Sequence, residues 1–439
     1  MATVPKIEYP ILCVRFGGNS VLPNDCFRSF DYVCDEDSIL PKCLMRFTDQ
    51  GNSLFKSYWG LETGSKVEVV VSEGSATPER IAETDTSSFS VELGNLTVGA
   101  VYSNETNTAI GADGYLEVKC VHPWEVFQDL TAHAYAGKSN SEIIKGLIEN
   151  SSTRGFKFND IDSNIFNDTD ENGDIPRYKC GEGDLDFIIN KLLPYTTINN
   201  LPPCFFVDDK NNVHLETFQS MFAKDAKLLI VGGNNETVTE EQKLKASMMN
   251  GLAISSELVV KVGNEAVDEY TKIIKREVSF DDPSSLSAFT GKLLPRIAIG
   301  KFSMGSNQSG YIPVSAAKVL LSDATDKVYY RNHNFKDLKA IALNDQKPFN
   351  SFFKIEINTT FCGHLINVGD NVELDIPAEN GQKNWLNGKW HIKAIKYRID
   401  PSHMLLMRLT LIRPSFLFNE NSTTLMNPTD FYAIGTGAW

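Results

Sequence analysis

Asp168-Thr-Asp170-Glu-Asn172-Gly173-Asp174 has the opening spacing of a calcium loop. Oxygen-bearing side chains stand at alternate positions, followed by a glycine that permits the sharp turn around a hard cation. Such a loop needs a bidentate carboxylate at its twelfth position, and here that position is Lys179, a cation where an anion belongs. The stretch reads as a solvated acidic loop, and whether Asp168 to Asp174 holds a cation stays open. The seven histidines, among them His122, His133 and His391, form no HExxH, no i,i+4 pair and no obvious triad. His391 follows Trp390 in an alternating stretch and reads as a solvent-facing strand residue. There is no GxSxG, no P-loop and no GxGxxG. Carboxylate pairs abound, but a glycosidase needs two acids placed across a cleft, which chain spacing does not reveal. The sequence therefore nominates no catalytic residue, no cofactor-binding residue and no metal ligand, and the expectation is a protein that is not an enzyme and needs no cofactor.

The eight cysteines, at 13, 26, 34, 43, 120, 180, 204 and 362, include no CxxC pair and no Cys/His spacing that suits zinc. They read as reduced, mostly buried thiols of a protein made in a cytoplasm. The start, MATVPKIEYP, lacks a basic region followed by an apolar one, so no secretory signal is expected, and triplets such as Asn95-Leu-Thr97 are read as chance matches to a glycosylation motif. No run of eighteen apolar residues offers a membrane span. The 56 acidic and 42 basic residues leave a net charge of −14, which argues against gripping nucleic acid through its phosphates. It is compatible with a wall that phosphate must slide past without sticking.

The 439 residues are enough for two to four domains. Residues 8 to about 121 read as strands, most clearly where Val67, Val69 and Val71 share one face. Period-two runs split by turns suggest a small barrel or sandwich. At Pro123 the period changes. Helices are expected near 123–134, near 140–150 behind the capping box Ser139-Asn-Ser-Glu142, and near 184–193 with Asp184 as N-cap and Pro194 as terminator. A hairpin with a polar turn, Asp208 to Asn212, is expected over 204–218. The region 231–345 is mixed and has no assigned pairing, with strand-like pieces at 257–262 and 272–280 and a short helix at 335–343. Alternation returns from 352, with a phase slip near Ala394-Ile395 where a bulge could sit. The tail 415–439 carries Phe416, Phe418, Phe431, Tyr432 and Trp439. These could dock into grooves on another protein or pack as a last strand on their own domain.

One phrase occurs twice: GSKVEVVV from Gly64 and GDNVELDI from Gly369. Each places a glycine turn before an alternating strand, and both lie in β regions, so a duplicated barrel is expected. The division is then 1–122 first β-barrel, 123–230 α+β domain, 231–345 mixed region, 346–414 second β-barrel and 415–439 extended tail. The fold class is mainly β with an α+β insertion, two similar small barrels bracketing a helix-containing middle.

Three segments carry a resemblance to a known family. Tyr178-Lys-Cys-Gly-Glu-Gly-Asp184-Leu-Asp-Phe-Ile188, with Lys191-Leu-Leu193 after it, is similar to that family's polar-start helix. The hairpin from Phe205 follows. Phe353-Lys-Ile-Glu-Ile-Asn358, Leu365-Ile-Asn-Val-Gly369-Asp-Asn-Val-Glu-Leu-Asp-Ile-Pro377 and Gly388-Lys-Trp390-His-Ile look like a closing barrel with G-D-x-V-x-L and G-x-W-x-V strands. The chain resembles the baseplate hub proteins of long-tailed phages, related to late-control-D proteins and to the N-terminal part of the valine-glycine-repeat spike of type VI secretion. The resemblance covers most of 8–414. It departs over 220–350, which is long for the family, and in having no needle or lysozyme domain after 414, which would place that activity on a separate chain.

The resemblance implies a structural virion protein of the tail baseplate, assembled in the host cytoplasm. It would be a homotrimer joining the sixfold tail tube to the threefold central spike. Two similar modules in each of three chains present six around one axis. The implied partners are the tail tube ring, the spike or needle, the tape-measure protein and the baseplate wedge proteins. DNA would pass through an acidic lumen without specific binding, and no membrane is involved. Inter-chain β contacts and helix 184–193 would hold the ring. The reading that competes with it is a tail-associated cell-wall hydrolase or a carbohydrate-binding adhesin, which needs a cleft with perturbed carboxylates or exposed aromatic platforms.

Overall fold

Val67, Val69 and Val71 are at most 1% exposed, while Lys66 between them and the preceding turn faces solvent. Successive strand side chains point to opposite faces, so the alternation read in the sequence becomes one apolar and one polar face. The same rule operates throughout a computed structural model of the chain. It describes residues 11–17, 20–21, 27–48, 61–72, 90–104, 114–150, 155–158, 160–161, 176–196, 198, 203–232, 238–262, 353–377, 386–399 and 405–413. The loop at 168–174, the pieces at 272–280 and 335–343 and the tail 415–439 lie outside the described residues.

The chain is mainly β. Strands β1 (Ile11–Phe16), β2 (Ser20–Val21), β3 (Phe27–Asp35), β4 (Lys42–Thr48), β5 (Lys66–Ser72), β6 (Ser90–Asn104) and β7 (Tyr115–Val121) form an antiparallel sheet in the order β3-β4-β7-β6-β5-β1-β2. Among the described residues this sheet stays open between β1 and β3.

The middle follows, with helix α1 (Pro123–Val126), strand β8 (His133–Tyr135), α2 (Asn140–Glu149), β9 (Asp160–Ile161), β10 (Arg177–Lys179), α3 (Asp184–Phe187), β11 (Pro203–Val207), β12 (Asn212–Thr217) and α4 (Phe218–Ala223). Helix α2 has its capping box: the Ser139 hydroxyl accepts from Glu142 N–H, and Glu142 accepts from Ser139 N–H. The helix expected over 123–134 stops after one turn at Val126, and the chain becomes a strand at His133 paired with β10. Leu130, at helical spacing from Phe127, is 64% exposed. Helix α3 is capped by Gly183, with Asp184 inside it, and it widens into a π turn over Ile188–Leu192 before a tight turn at Leu193–Tyr195.

The remaining strands are β13 (Ala226–Gly232), β14 (Leu252–Val262), β15 (Phe353–Thr359), β16 (Asn371–Asp375), β17 (Gly388–Ile399) and β18 (Leu405–Arg413), with helix α5 (Glu240–Ser247) between β13 and β14. Their order β13-β14-β15-β18-β17-β16 returns to β13, a closed six-stranded barrel. The boundary expected at 346 therefore moves. The barrel begins at Ala226, because four strands after 346 do not close alone and β13 and β14 complete it. Leu228 to Val231 are all buried, and Ala246 of α5 packs on Leu229 and Val231, so β13 is apolar on both faces as a covered parallel strand must be.

The duplicated phrase has a duplicated backbone. Gly64 N–H donates to Val98 O at 2.8 Å, and Val98 N–H donates to Ser65 O at 2.9 Å; Gly369 N–H donates to Ile392 O at 3.0 Å, and Ile392 N–H donates to Asp370 O at 2.8 Å. Both glycines are left-handed, at φ +92° and +91°, which explains the residue type. The partner strand then bulges in each case, between Val98 and Ala100 against β7 and between Ile392 and Ala394 against β18. The second bulge sits one residue ahead of the expected slip. The strand order β3-β4-β7-β6-β5-β1 parallels β14-β15-β18-β17-β16-β13. The sixth strand breaks the parallel, since β1 runs antiparallel to β5 and β13 runs parallel to β16.

Candidate functional site

The two sheets are fused. β17 pairs with β18 along one edge, and its other edge pairs first with β16, over Gly388–His391, and then with β3, from Ala394 opposite Asp35 to Ile399 opposite Phe30. Across this seam Tyr397 faces Tyr32. Just beyond it His391, fully buried, meets Glu36 Oε1 with Nε2 at 2.5 Å and Asn371 Oδ1 with Nδ1 at 3.2 Å. Asn371 is fixed in turn by donating to Met221 O and Lys224 O. Lys393, the bulged residue, reaches Asp37 at 2.6 Å. The bulge is what swings this side chain out of the ladder toward the β3 loop.

The tip of the β11–β12 hairpin is driven into the same seam. Every residue of β11 is buried, because Cys204 and Phe206 pack into the core shared by the sheets while Phe205 and Val207 pack into the core of the helical middle. Val207 N–H donates to Ile39 O at 2.7 Å, and Cys34 Sγ donates to Val207 O at 3.4 Å. In the turn, Asp208 Oδ1 accepts from the N–H groups of Lys210 and Asn212, while Oδ2 accepts from Asn212 Nδ2, His214 Nε2 and Asn367 Nδ2. Asn211 holds the left-handed position at φ 64°, a conformation Asn tolerates. Its side chain accepts from His122 Nε2 at 2.9 Å and donates to Lys157 O. The sequence reads this turn as polar. The structure buries it, with Asp208 and Asp209 both 0% exposed.

Beside the turn lies a cleft of about 200 Å³ lined by Asp208, His214, Glu216, Lys224, Lys227 and Asp370 among others. Most of its charges are paired with one another. Lys224 pairs with Glu216 at 2.7 Å, Lys227 with Asp370 at 2.8 Å, and His214 bridges Asp208 and Glu216. Burial pulls His214 down, but its bonds to Asp208 and Glu216 outweigh that and push it up to about 9. Burial likewise raises Glu216, and the bonds from His214 and Lys224 override it, so its carboxyl falls below the usual range. With both nitrogens donating, His214 offers no lone pair to a substrate proton or to a metal, and no metal-holding group of His, Cys, Asp and Glu forms among the described residues.

The histidines singled out in the sequence go to three places. His122 is buried; its Nδ1 accepts from Trp124 N–H at 3.1 Å to cap α1, and burial lowers it to about 4. His133 stays exposed beside Asp129. His391 is the correction: it was expected to face solvent, and the bulge that follows it leaves it facing inward against Glu36. Lys179, the wrong residue for a calcium loop, is buried, paired with Asp184 and donating to Asp129 O. Its type is explained by that pairing. The His–carboxylate partners were invisible in the sequence because Glu36 lies 355 positions from His391.

This fold occurs in known proteins. A prophage MuSo2 43 kDa tail protein from Shewanella oneidensis superposes with a TM-score of 0.51 at 11% identity, over 93% of this chain and 99% of that one. A tail protein from Neisseria meningitidis MC58 gives 0.48 at 9% identity, over 92% and 96%. An E. coli component of the type VI secretion system gives 0.44 at 9% identity, over 94% and 79%. The similarity to the first shows a shared fold, that of a phage tail protein. No protein-family model matches the chain, and no curated protein matches it.

Proposed function

We propose that the chain is a structural, non-catalytic component of a tail baseplate, a hub that three copies assemble around one axis. The observation that carries this reading is the repeated backbone at Gly64 and Gly369. Two sheets with the same order over five strands and the same glycine turn and bulge let three chains offer six related units. The shared fold with a phage tail protein supports the setting. In this reading residues 1–122 and the barrel strands from 226 to 413 are the paired units. Residues 123–225 brace them. The six units meet the tail tube ring, the threefold side meets the spike, and wedge proteins bind outside. The acidic balance of −14 suits a lumen that tape-measure protein and DNA traverse without sticking. The particle is a virion tail assembled in the host cytoplasm. The test is mass measurement in solution, alone and with the tube and spike proteins, followed by imaging of the assembled particle. Three copies per axis with the two sheets alternating around it are expected; six copies per axis overturn the reading.

A further inference from the structure

Asp209, in the hairpin turn, has both carboxyl oxygens buried with no hydrogen-bond partner, although Asp208 beside it accepts five. The hydroxyls of Tyr32 on β3 and Tyr397 on β17 are also buried without partners, and both lie within the reach of the Asp209 charge. Burial penalises the charged form of a carboxyl with no side-chain donor, and a proton removes the penalty. The titratable groups around it are Tyr32 and Cys34 from β3, Tyr397 from β17, Asp208 and Lys210 from the turn, and Asp370 and Cys362 from the barrel loops. His364 stands near Lys210. Lys210 and the backbone N–H of Asp209 itself favour the anion, and burial, Asp208 and Asp370 oppose it.

We propose that Asp209 is a proton-operated latch. With its carboxyl protonated the turn seats against the β3–β17 seam. When the proton leaves to solvent the carboxylate must hydrate, and the turn releases from the seam. The hydrogen bonds at the turn are Cys34 to Val207, Val207 to Ile39, Asn367 to Asp208 and His122 to Asn211, while Cys204 and Phe206 stay anchored in the shared core, so the opening is local to the turn. Burial, then the Asp208 charge, pushes the Asp209 carboxyl up to about 7. The folded chain therefore holds a proton that the unfolded chain has lost, from the ordinary aspartate range up to about pH 7, and stability falls as pH rises through that window. Buried His122 has the opposite sign, gaining stability as pH rises from about 4 toward its ordinary value. The informative quantity is thus a difference between two proteins.

Asp209→Asn keeps the shape of the neutral acid and carries no proton to lose. Denaturant unfolding and amide exchange at Val207, whose N–H donates across the seam to Ile39 O, are measured for both proteins at several pH values. The wild-type unfolding constant divided by that of the variant is expected to rise about tenfold per pH unit up to about pH 7 and then to level. Protection of the Val207 amide should fall over the same range in the wild type alone. A flat ratio overturns the proposal. If the variant does not fold, infrared spectra of the intact chain with isotope-labelled aspartate decide it, in an Asp35→Asn background because burial also raises Asp35. A protonated-carboxyl band persisting at about pH 6, where ordinary aspartates are ionised, supports the latch, and its absence overturns it.

Discussion

Tyr32 and Tyr397 stack across the β3–β17 seam with ring centroids 5.8 Å apart and 30° between their planes. They are register partners, both 0% exposed, one from each sheet. The joint between the sheets is therefore a piece of continuous core. Cys34, Phe30 and Ile399 belong to the same apolar cluster as Val69 on one side and Leu409 on the other.

The hydroxyls of this pair are a cost. Neither has a partner, and a Cβ on Gly363 would fall 2.1 Å from the Tyr397 oxygen. Tyr397→Phe is expected to be neutral or to stabilise by about 1 kcal/mol, since it removes an unsatisfied buried group. Gly363→Ala is expected to destabilise by about 1–3 kcal/mol through overpacking, because the buried, stacked tyrosine has nowhere to move. The double variant should recover part of that loss, a coupling that denaturant midpoints of the four proteins measure.

Gly64 and Gly369 share a conformation but differ in surroundings. A Cβ at Gly64 would meet Phe127, which is 39% exposed and can swing away; a Cβ at Gly369 would sit 2.9 Å from the buried ring of Phe206. Both alanine variants carry left-handed strain of about 1–2 kcal/mol. Gly369→Ala should cost about 1–3 kcal/mol beyond that through overpacking. Thermal unfolding of the two single variants checks the order; equal losses would contradict it.

The strand faces and the repeated glycine phrase were legible because period two and a left-handed glycine are local properties. Lys66, Val67 and Val69 reveal their sheet face without knowledge of any other residue. The seam was not legible. His391 reads as exposed from its neighbours, and only Glu36, far away in the chain, makes it a buried residue. Asp208-Asp209 reads as a solvent turn for the same reason. A signal did exist in Cys204 to Val207: four consecutive apolar residues cannot alternate, and such a strand must be covered on both faces. The helix expected through 134 failed because Phe127 and Leu130 fit helical spacing while nothing covers Leu130.

Glu36 and His391, both buried, tie the β3 loop to the barrel. Removing one partner leaves the other without its contact, which for a buried pair costs about 3–5 kcal/mol. His391→Ala is therefore expected to destabilise far more than Lys393→Ala, whose partner Asp37 is 65% exposed and whose ion pair with it is worth about 1 kcal/mol or less. Both variants truncate one side chain of β17, His391 on its buried side and Lys393 at the bulge. Equal midpoints in urea would show that the Glu36 contact contributes nothing to the seam.

His214 supplies a pH dependence of its own, in a window above that of Asp209. Its folded value of about 9 stands above the ordinary 6.5. The folded chain therefore holds a proton that the unfolded chain releases between these values. The stabilisation is complete below pH 6.5, falls as pH rises, and is gone above about 9. Its size is about 3 kcal/mol at most, from roughly 1.4 kcal/mol for each tenfold gain in proton affinity on folding. Buried Cys34 and Tyr32 are raised as well and also weaken the fold at alkaline pH, so the wild-type profile alone is ambiguous. His214→Gln retains a donor toward Asp208 and cannot titrate. The stability gap between wild type and this variant should be widest near about pH 6 and close by about pH 10. A gap of constant size would mean that His214 is held by shape alone and that Asp208 and Glu216 do not keep it charged.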